Sequence, residues 1–250
     1  MFLAFFTVIC ATATMSALYL KAHGVFSAIA MSASPGDQPV ATTLPNRNAG
    51  PRVVHFLGAS LFSRGTWLAA LETALNQCGD PEHNASSGAL PKNQISVTAT
   101  PGENSTWGVE QLAEIFAPDR KAPDILIVGF SANDAALHRG ITLNQSRRNL
   151  DEIIAQAQKS KTHVMLATLA PAFGPRKWVR PGLSAYKALY HDLADQYDGV
   201  DVIDTLPVWR TLSANQLRDA IPDGLHPTDE TMRRLLLPIL KEAISGKQKC

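Results

Sequence analysis

Cysteine is scarce in this chain: Cys10, Cys78 and Cys250 are the only three in 250 residues. That is too few for a disulfide framework, and no Cys/His pair has the spacing of a zinc site. A surplus of charge is missing too, with 23 Lys and Arg against 22 Asp and Glu. Without a dense Lys/Arg stripe, binding of nucleic acid is not expected. The first 20 positions, MFLAFFTVICATATMSALYL, contain no charged side chain, and ~20 apolar residues suffice to cross a bilayer as a helix. The run lacks the basic residues that usually open a signal peptide. Ile9, before Cys10, is larger than the residue a lipoprotein signal carries there, so no lipid anchor is expected. Two readings stand: a signal peptide within residues 1–30, cleaved near Ala28-Ile29-Ala30, or an uncleaved anchor attaching residues 1–20 to the membrane. Both imply export, to the periplasm, the exterior or the outer side of a membrane.

Periodicity is absent from Met31 to Pro51, a stretch rich in Pro, Ser, Thr, Asn and Gly that reads as a flexible linker over residues 31–51. There is no internal repeat. Residues 52–250 are enough for one sizeable domain and need no second core.

Within that domain, short apolar or β-branched runs alternate with amphipathic ones. Strands are predicted at Arg52–Leu57, Ile95–Ala99, Asp124–Gly129, His163–Leu169 and Val200–Ile203. Their near-continuous apolar character suits strands covered on both faces. Between them, Leu112, Ile115 and Phe116 share a helical face, as do Leu150, Ile153, Ile154 and Ala157, and again Tyr186, Leu189, Tyr190, Leu193 and Tyr197. Thr142 and Gln145 have the spacing of a capping box, and Thr228 suits the start of a last helix through Leu235, Leu236 and Leu240. The pattern predicts a three-layer α/β/α domain with a doubly wound sheet of about five parallel strands, where ligands bind beyond the carboxyl ends of the strands.

Four segments fall at those ends. Ser60, in Gly58-Ala59-Ser60-Leu61, follows the first strand and is either a helix cap or a nucleophile. In Asp223-Gly224-Leu225-His226 a carboxylate and an imidazole lie three residues apart. They form either a capped turn beside an exposed histidine, or a base with the carboxylate that orients it. Gly102, after the second strand, and Asn133, after the third, offer a backbone and a side-chain N–H for a developing oxyanion. His55, His163 and His191 lie on strand or helix patterns as packing or surface residues, whereas His138 and Arg139 are close enough to Asn133 to line a pocket.

Taken in order, these blocks resemble the SGNH, or GDSL-type, hydrolases over about residues 52–246. Gly58-Ala59-Ser60-Leu61 resembles the family's first block, Gly102 its glycine, Ala132-Asn133-Asp134 its asparagine block and Asp223-Gly224-Leu225-His226-Pro227 its last. The resemblance implies a flavodoxin-like fold and a Ser60-His226-Asp223 triad. It also implies an oxyanion hole from the Ser60 and Gly102 backbone N–H groups and the Asn133 side chain. Two positions depart from it: Ala59 stands where the family usually has Asp, and Ser131-Ala132 replaces a glycine-richer approach to the asparagine. The implied activity is hydrolysis of small acyl esters, with no metal or organic cofactor. O-acetyl groups on envelope or extracellular carbohydrate are the expected substrates, because export delivers the enzyme to them and no long apolar lid is present. The alternatives are an O-acyltransferase acting on a sugar hydroxyl and a non-catalytic glycan-binding module.

Two expectations lie further from the motifs. The Pro-bounded loop Pro171–Pro181 should project over the carboxyl edge of the sheet, where Trp178 offers a flat apolar face and Arg176, Lys177 and Arg180 favour an anionic part of the substrate. Cys78 follows the first predicted helix and Cys250 ends the last; in an oxidising compartment the two can pair.

Overall fold

The computed structural model describes residues 52–77 and 92–246. The expected leader over residues 1–30, the linker and the Cys78 and Cys250 pair lie outside them. No helix among the described residues is long and apolar enough to cross a membrane.

In chain order the elements begin with β1 (Val53–Gly58), α1 (Ser60–Ser63), α2 (Trp67–Asn76), β2 (Gln94–Ala99), α3 (Ser105–Glu110), α4 (Leu112–Ile115), β3 (Ile125–Gly129) and α5 (Ser131–Asp134). A short 3-10 turn (Leu137–Arg139) leads to α6 (Leu143–Lys159), β4 (His163–Ala167), α7 (Pro175–Trp178), α8 (Leu183–Gln196) and β5 (Val200–Ile203). The chain closes with α9 (Leu206–Arg210), α10 (Ala214–Ala220), α11 (Asp229–Thr231), a π turn (Met232–Leu236) and α12 (Leu237–Ser245). All five strands are parallel in the order β2-β1-β3-β4-β5. This is the doubly wound arrangement read from the sequence, with the order reversing at β1.

Because successive strand residues point to opposite faces, the sheet divides the interior in two. Val54, Phe56, Ile125, Ile127, Met165, Ala167 and Ile203 pack against Trp67, Leu71 and Leu75 of α2 and Leu236, Leu240 and Ile244 at the C-terminus. Leu57, Leu126, Val128, Val164, Leu166 and Val200 turn the other way, onto Leu112, Leu150, Ile153, Ile154, Leu189, Tyr190 and Leu193. The helical faces named from spacing are therefore core faces, except at Tyr186, which stands outside both clusters and donates its hydroxyl to the Ile141 carbonyl at 2.6 Å. One expectation needs correcting: β2 is an edge strand, largely exposed along Gln94–Ala99, and is not covered on both faces.

The caps also differ in part from expectation. Thr142 accepts the Gln145 N–H at 3.1 Å, but the Gln145 side chain donates to Asn149 instead of closing a capping box. The reciprocal box forms at Ser213 and Gln216. Thr228 caps α11 as read. Its neighbour Asp229 serves another helix: its carboxylate accepts the backbone N–H of Thr66 at 2.7 Å and of Trp67 at 3.0 Å, so it caps α2 from 163 residues away. Arg233 Nε, 2.8 Å away, holds that carboxylate in place. Asp229→Ala is expected to lower stability by about 1–2 kcal/mol, the cost of a lost N-cap. The urea midpoint, at unchanged m, measures it.

Candidate active site

The carboxyl ends of β1, β3 and β4 open into a cleft lined by Ala59, Ser60, Phe130, Asn133, Leu169 and His226, among others. Ser60 reaches it because β1 stops at Gly58 and the chain turns at once into α1, leaving the serine buried at the first helical position. Ala59 offers no side-chain cap to that helix; its carbonyl accepts the Phe62 N–H at 3.0 Å.

His226 arrives from the other end of the chain. Its Nε2 lies 2.8 Å from Ser60 Oγ, and its Nδ1 lies 2.6 Å from Asp223 Oδ2. An ionised carboxylate only accepts, so Nδ1 carries the hydrogen and Nε2 presents its lone pair to the serine hydroxyl. Asp223 Oδ1 accepts two backbone N–H groups, from Leu225 at 2.9 Å and His226 at 2.7 Å, which locks the turn. Partial burial pushes the Asp223 carboxyl up, but the hydrogen bonds from the His226 side chain and from these two N–H groups outweigh it and hold the pKa at about 2. The turn depends on Gly224, whose φ is +78°; a Cβ there would also stand 2.7 Å from the Phe173 carbonyl oxygen.

Asn133 lines the same cleft, with its Nδ2 donating to the Glu103 carbonyl at 2.6 Å. A primary amide has two such hydrogens, so one remains for a ligand. Gly102 does not line the cleft wall; it sits in the adjoining turn, at φ +88°. Among the described residues, neither its backbone N–H nor that of Ser60 is taken by a protein acceptor. The four segments singled out from the sequence thus meet at one edge of the sheet.

The loop carrying Asn133 is braced from three sides by residues given no role from the sequence or a different one. The buried Tyr190 hydroxyl accepts the Phe130 and Ser131 N–H groups at 2.9 and 3.0 Å. The buried Asp134 carboxylate accepts the Ser105 N–H at 2.9 Å and the Ser146 hydroxyl at 2.6 Å, which joins the asparagine loop to the segment after Gly102. Burial raises its pKa, and these hydrogen bonds oppose the rise. Ser146 and Asn149 are polar positions on the otherwise apolar face of α6, and that mismatch was the available signal for the network. The third brace is Arg180. It was expected to face the substrate from an open loop, but it is only 4% exposed. Its Nε donates to the Ala132 carbonyl at 2.7 Å and one terminal nitrogen to the Arg176 carbonyl at 3.1 Å. Arg180 is thus a fastener of the cleft wall, because its buried planar fork ties the half-buried Ala132 carbonyl to that of Arg176 across two loops.

The far wall is held under tension. Leu169, directly beyond β4, has φ +54°, a conformation costly for a branched side chain. Its carbonyl is gripped by Trp209 Nε1 at 2.6 Å and by the Thr205 hydroxyl. Elsewhere in the Pro171–Pro181 loop, Arg176 and Lys177 are exposed, and Trp178 is 76% exposed. Arg176 also stands 3.6 Å from Asp223 Oδ2. The histidines outside the cleft have structural settings. His55 bonds to Ser96 and Thr98, with burial lowering its pKa to about 4, and His163 pairs with Asp201 at 2.7 Å. Among the described residues, no group of three or more His, Cys, Asp or Glu side chains is placed to hold a metal ion.

The sequence model of the GDSL-like Lipase/Acylhydrolase family matches residues 56–234, from the middle of β1 to the π turn. The chain belongs to that family. The fold agrees with solved structures. A lipase/acylhydrolase from Enterococcus faecalis superposes with a TM-score of 0.64 at 22% identity, over 80% of this chain and 99% of that one. An acetylxylan esterase from Geobacillus stearothermophilus superposes with a TM-score of 0.59 at 15% identity, over 81% of this chain and 98% of that one. A lipolytic protein of the G-D-S-L family from Desulfitobacterium hafniense gives 0.58 at 13% identity, over 77% and 99%. No curated protein matches the chain. Within the GDSL-like family pattern, Ala59 is the departure nearest the candidate nucleophile, and the hydrogen bonds of Ser60 and His226 form without a carboxylate at that position.

Proposed function

We propose that this GDSL-like protein is a serine esterase that removes small acyl groups, with Ser60 as nucleophile, His226 as base and Asp223 as the carboxylate that orients it. The observation that carries the reading is the unbroken chain of short contacts, Ser60 Oγ to His226 Nε2 at 2.8 Å and His226 Nδ1 to Asp223 at 2.6 Å. Ser60 Oγ attacks the ester carbonyl carbon while its proton passes to Nε2. The oxyanion is met by the free Ser60 and Gly102 N–H groups and the second amide hydrogen of Asn133. Collapse expels the alcohol, which takes the proton from His226. Water then attacks the acyl-enzyme, giving its proton to His226, and release of the acid returns a proton to Ser60. Asp223 stays ionised throughout, since its pKa of about 2 keeps it charged at any working pH.

A small acyl group suits a cleft walled by Ala59, Ala132, Ala170 and Leu169, with Phe130 at its side. The shared fold with an acetylxylan esterase accords with an O-acetyl group on carbohydrate. Export through the uncharged first 20 residues brings the domain to envelope or extracellular sugars; full-length protein found soluble in the cytoplasm would remove that part of the reading.

The test is covalent. A serine-directed fluorophosphonate should label the native protein at the peptide containing Ser60, and a pulse of 4-nitrophenyl acetate should release 4-nitrophenol in a burst. Labelling elsewhere, or none, overturns the reading. A second expectation concerns the turn: Gly224→Ala should displace His226 and lower kcat by about 100-fold, as misplacement of a catalytic group by ~1 Å does. An unaltered far-ultraviolet circular dichroism spectrum would confine the effect to the site.

A further inference from the structure

The rim of the cleft carries more positive charge than the reaction above uses. Arg139 ends the 3-10 turn after Asn133, and that turn is fastened to the opposite loop by the Leu137 N–H, 2.9 Å from the Val179 carbonyl. The Arg139 side chain runs back over Gly102. A Cβ built on that glycine would come within 2.5 Å of one terminal nitrogen and 3.4 Å of Cζ, so the guanidinium occupies the space a side chain would fill. It therefore lies beside the N–H assigned above to the oxyanion. Arg176 stands by Asp223, on the histidine side. Arg180 is close enough to both that, after burial, their charges are the next causes lowering its pKa.

Three guanidiniums thus share this rim, and the carboxylate beside Arg176, Asp223, is already bonded to His226. Among the described residues, Arg139 pairs with no carboxylate. The chain as a whole is balanced, at 23 basic to 22 acidic side chains, so the excess is local. Crowding like charges beside a cleft is unfavourable in itself and becomes favourable when an anion joins them. The cleft wall is apolar where an acyl group would sit, against Phe130, Leu169 and Leu225. The anion accordingly belongs to the other half of the ester, which extends past the rim.

Resting on the esterase reading, we propose that Arg139, with Arg176, forms a subsite for a carboxylate or comparable anion on the alcohol portion of the substrate. The preferred substrates are then small acyl esters of an acidic alcohol, such as an acetylated acidic sugar. Arg139 sets specificity by direct contact and takes no part in proton transfer.

The experiment compares 4-acetoxybenzoate with 4-acetoxybenzamide, which share the acetyl group and differ in the charge of the alcohol, using the full-length protein. The native enzyme should favour the benzoate, and the ratio of the two kcat/KM values should fall about 10-fold in Arg139→Gln, the size expected for one charge-assisted hydrogen bond. Arg139→Lys should restore part of the ratio, and added salt should lower it in the native enzyme. A ratio unaltered by Arg139→Gln, or a preference for an anion on the acyl side with phenyl hydrogen succinate over phenyl acetate, overturns the subsite while leaving the esterase intact. Hydrolysis of neither ester together with no labelling of Ser60 overturns both.

Discussion

Ser60→Ala is expected to lower kcat/KM for a small acyl ester by about 10⁴-fold or more, His226→Ala by a similar factor, and the double variant by little beyond either alone. The non-additivity is the informative part. The Ser60 hydroxyl is a poor nucleophile at neutral pH without the Nε2 2.8 Å away, and the later work of Nε2 on alcohol and water needs the bond that hydroxyl forms, so removing either member removes one function. Steady-state rates on 4-nitrophenyl acetate, with circular dichroism to establish folding, measure all three variants. Full hydrolysis by a folded Ser60→Ala protein would end the esterase assignment, and additive losses would show that the two residues do not act together.

Asn133→Ala should reduce kcat by about 10²–10³-fold with a much smaller change in KM, the signature of a donor that strengthens its bond only as the oxyanion develops. One amide hydrogen is committed to the Glu103 carbonyl at 2.6 Å, which aims the other. The variant also loses that anchor, so the comparison that isolates the oxyanion role is Asp134→Asn. This change keeps the size of the side chain while weakening the links to Ser105 and Ser146. It should loosen the asparagine loop and lower kcat less than Asn133→Ala does. A rise in KM with kcat unchanged in Asn133→Ala would place the amide in ground-state binding instead.

The placement of Arg180 and Asp229 shows where sequence reading reaches its limit. Within its own segment Arg180 is a loop cation, and Asp229 only follows Thr228, the cap of the last helix. Each instead satisfies backbone groups of a distant segment: Arg180 the Ala132 carbonyl, Asp229 the N–H groups that open α2. A long cation or a carboxylate goes where unpaired carbonyls or N–H groups would otherwise be buried or left open, and that demand exists only once the chain is folded. Arg139 is similar. Its proximity to Asn133 is visible in the sequence, but its position over Gly102 depends on how the 3-10 turn docks on Val179.

By itself, the sequence determined the five parallel strands, the helical faces that cover them and the four segments at the carboxyl ends, because hydrophobic period and motif order are local properties of the chain. It also singled out Asp223 and His226 as a pair, since three residues of one turn suffice to join them. Only the tertiary structure decided that Ser60 and His226, 166 residues apart, meet at hydrogen-bond distance. It likewise decided which of the loop cations is buried, and that β2 forms the exposed edge. Those outcomes depend on strand order and on how loops pack across the end of the sheet, where each side chain answers to partners far away in sequence.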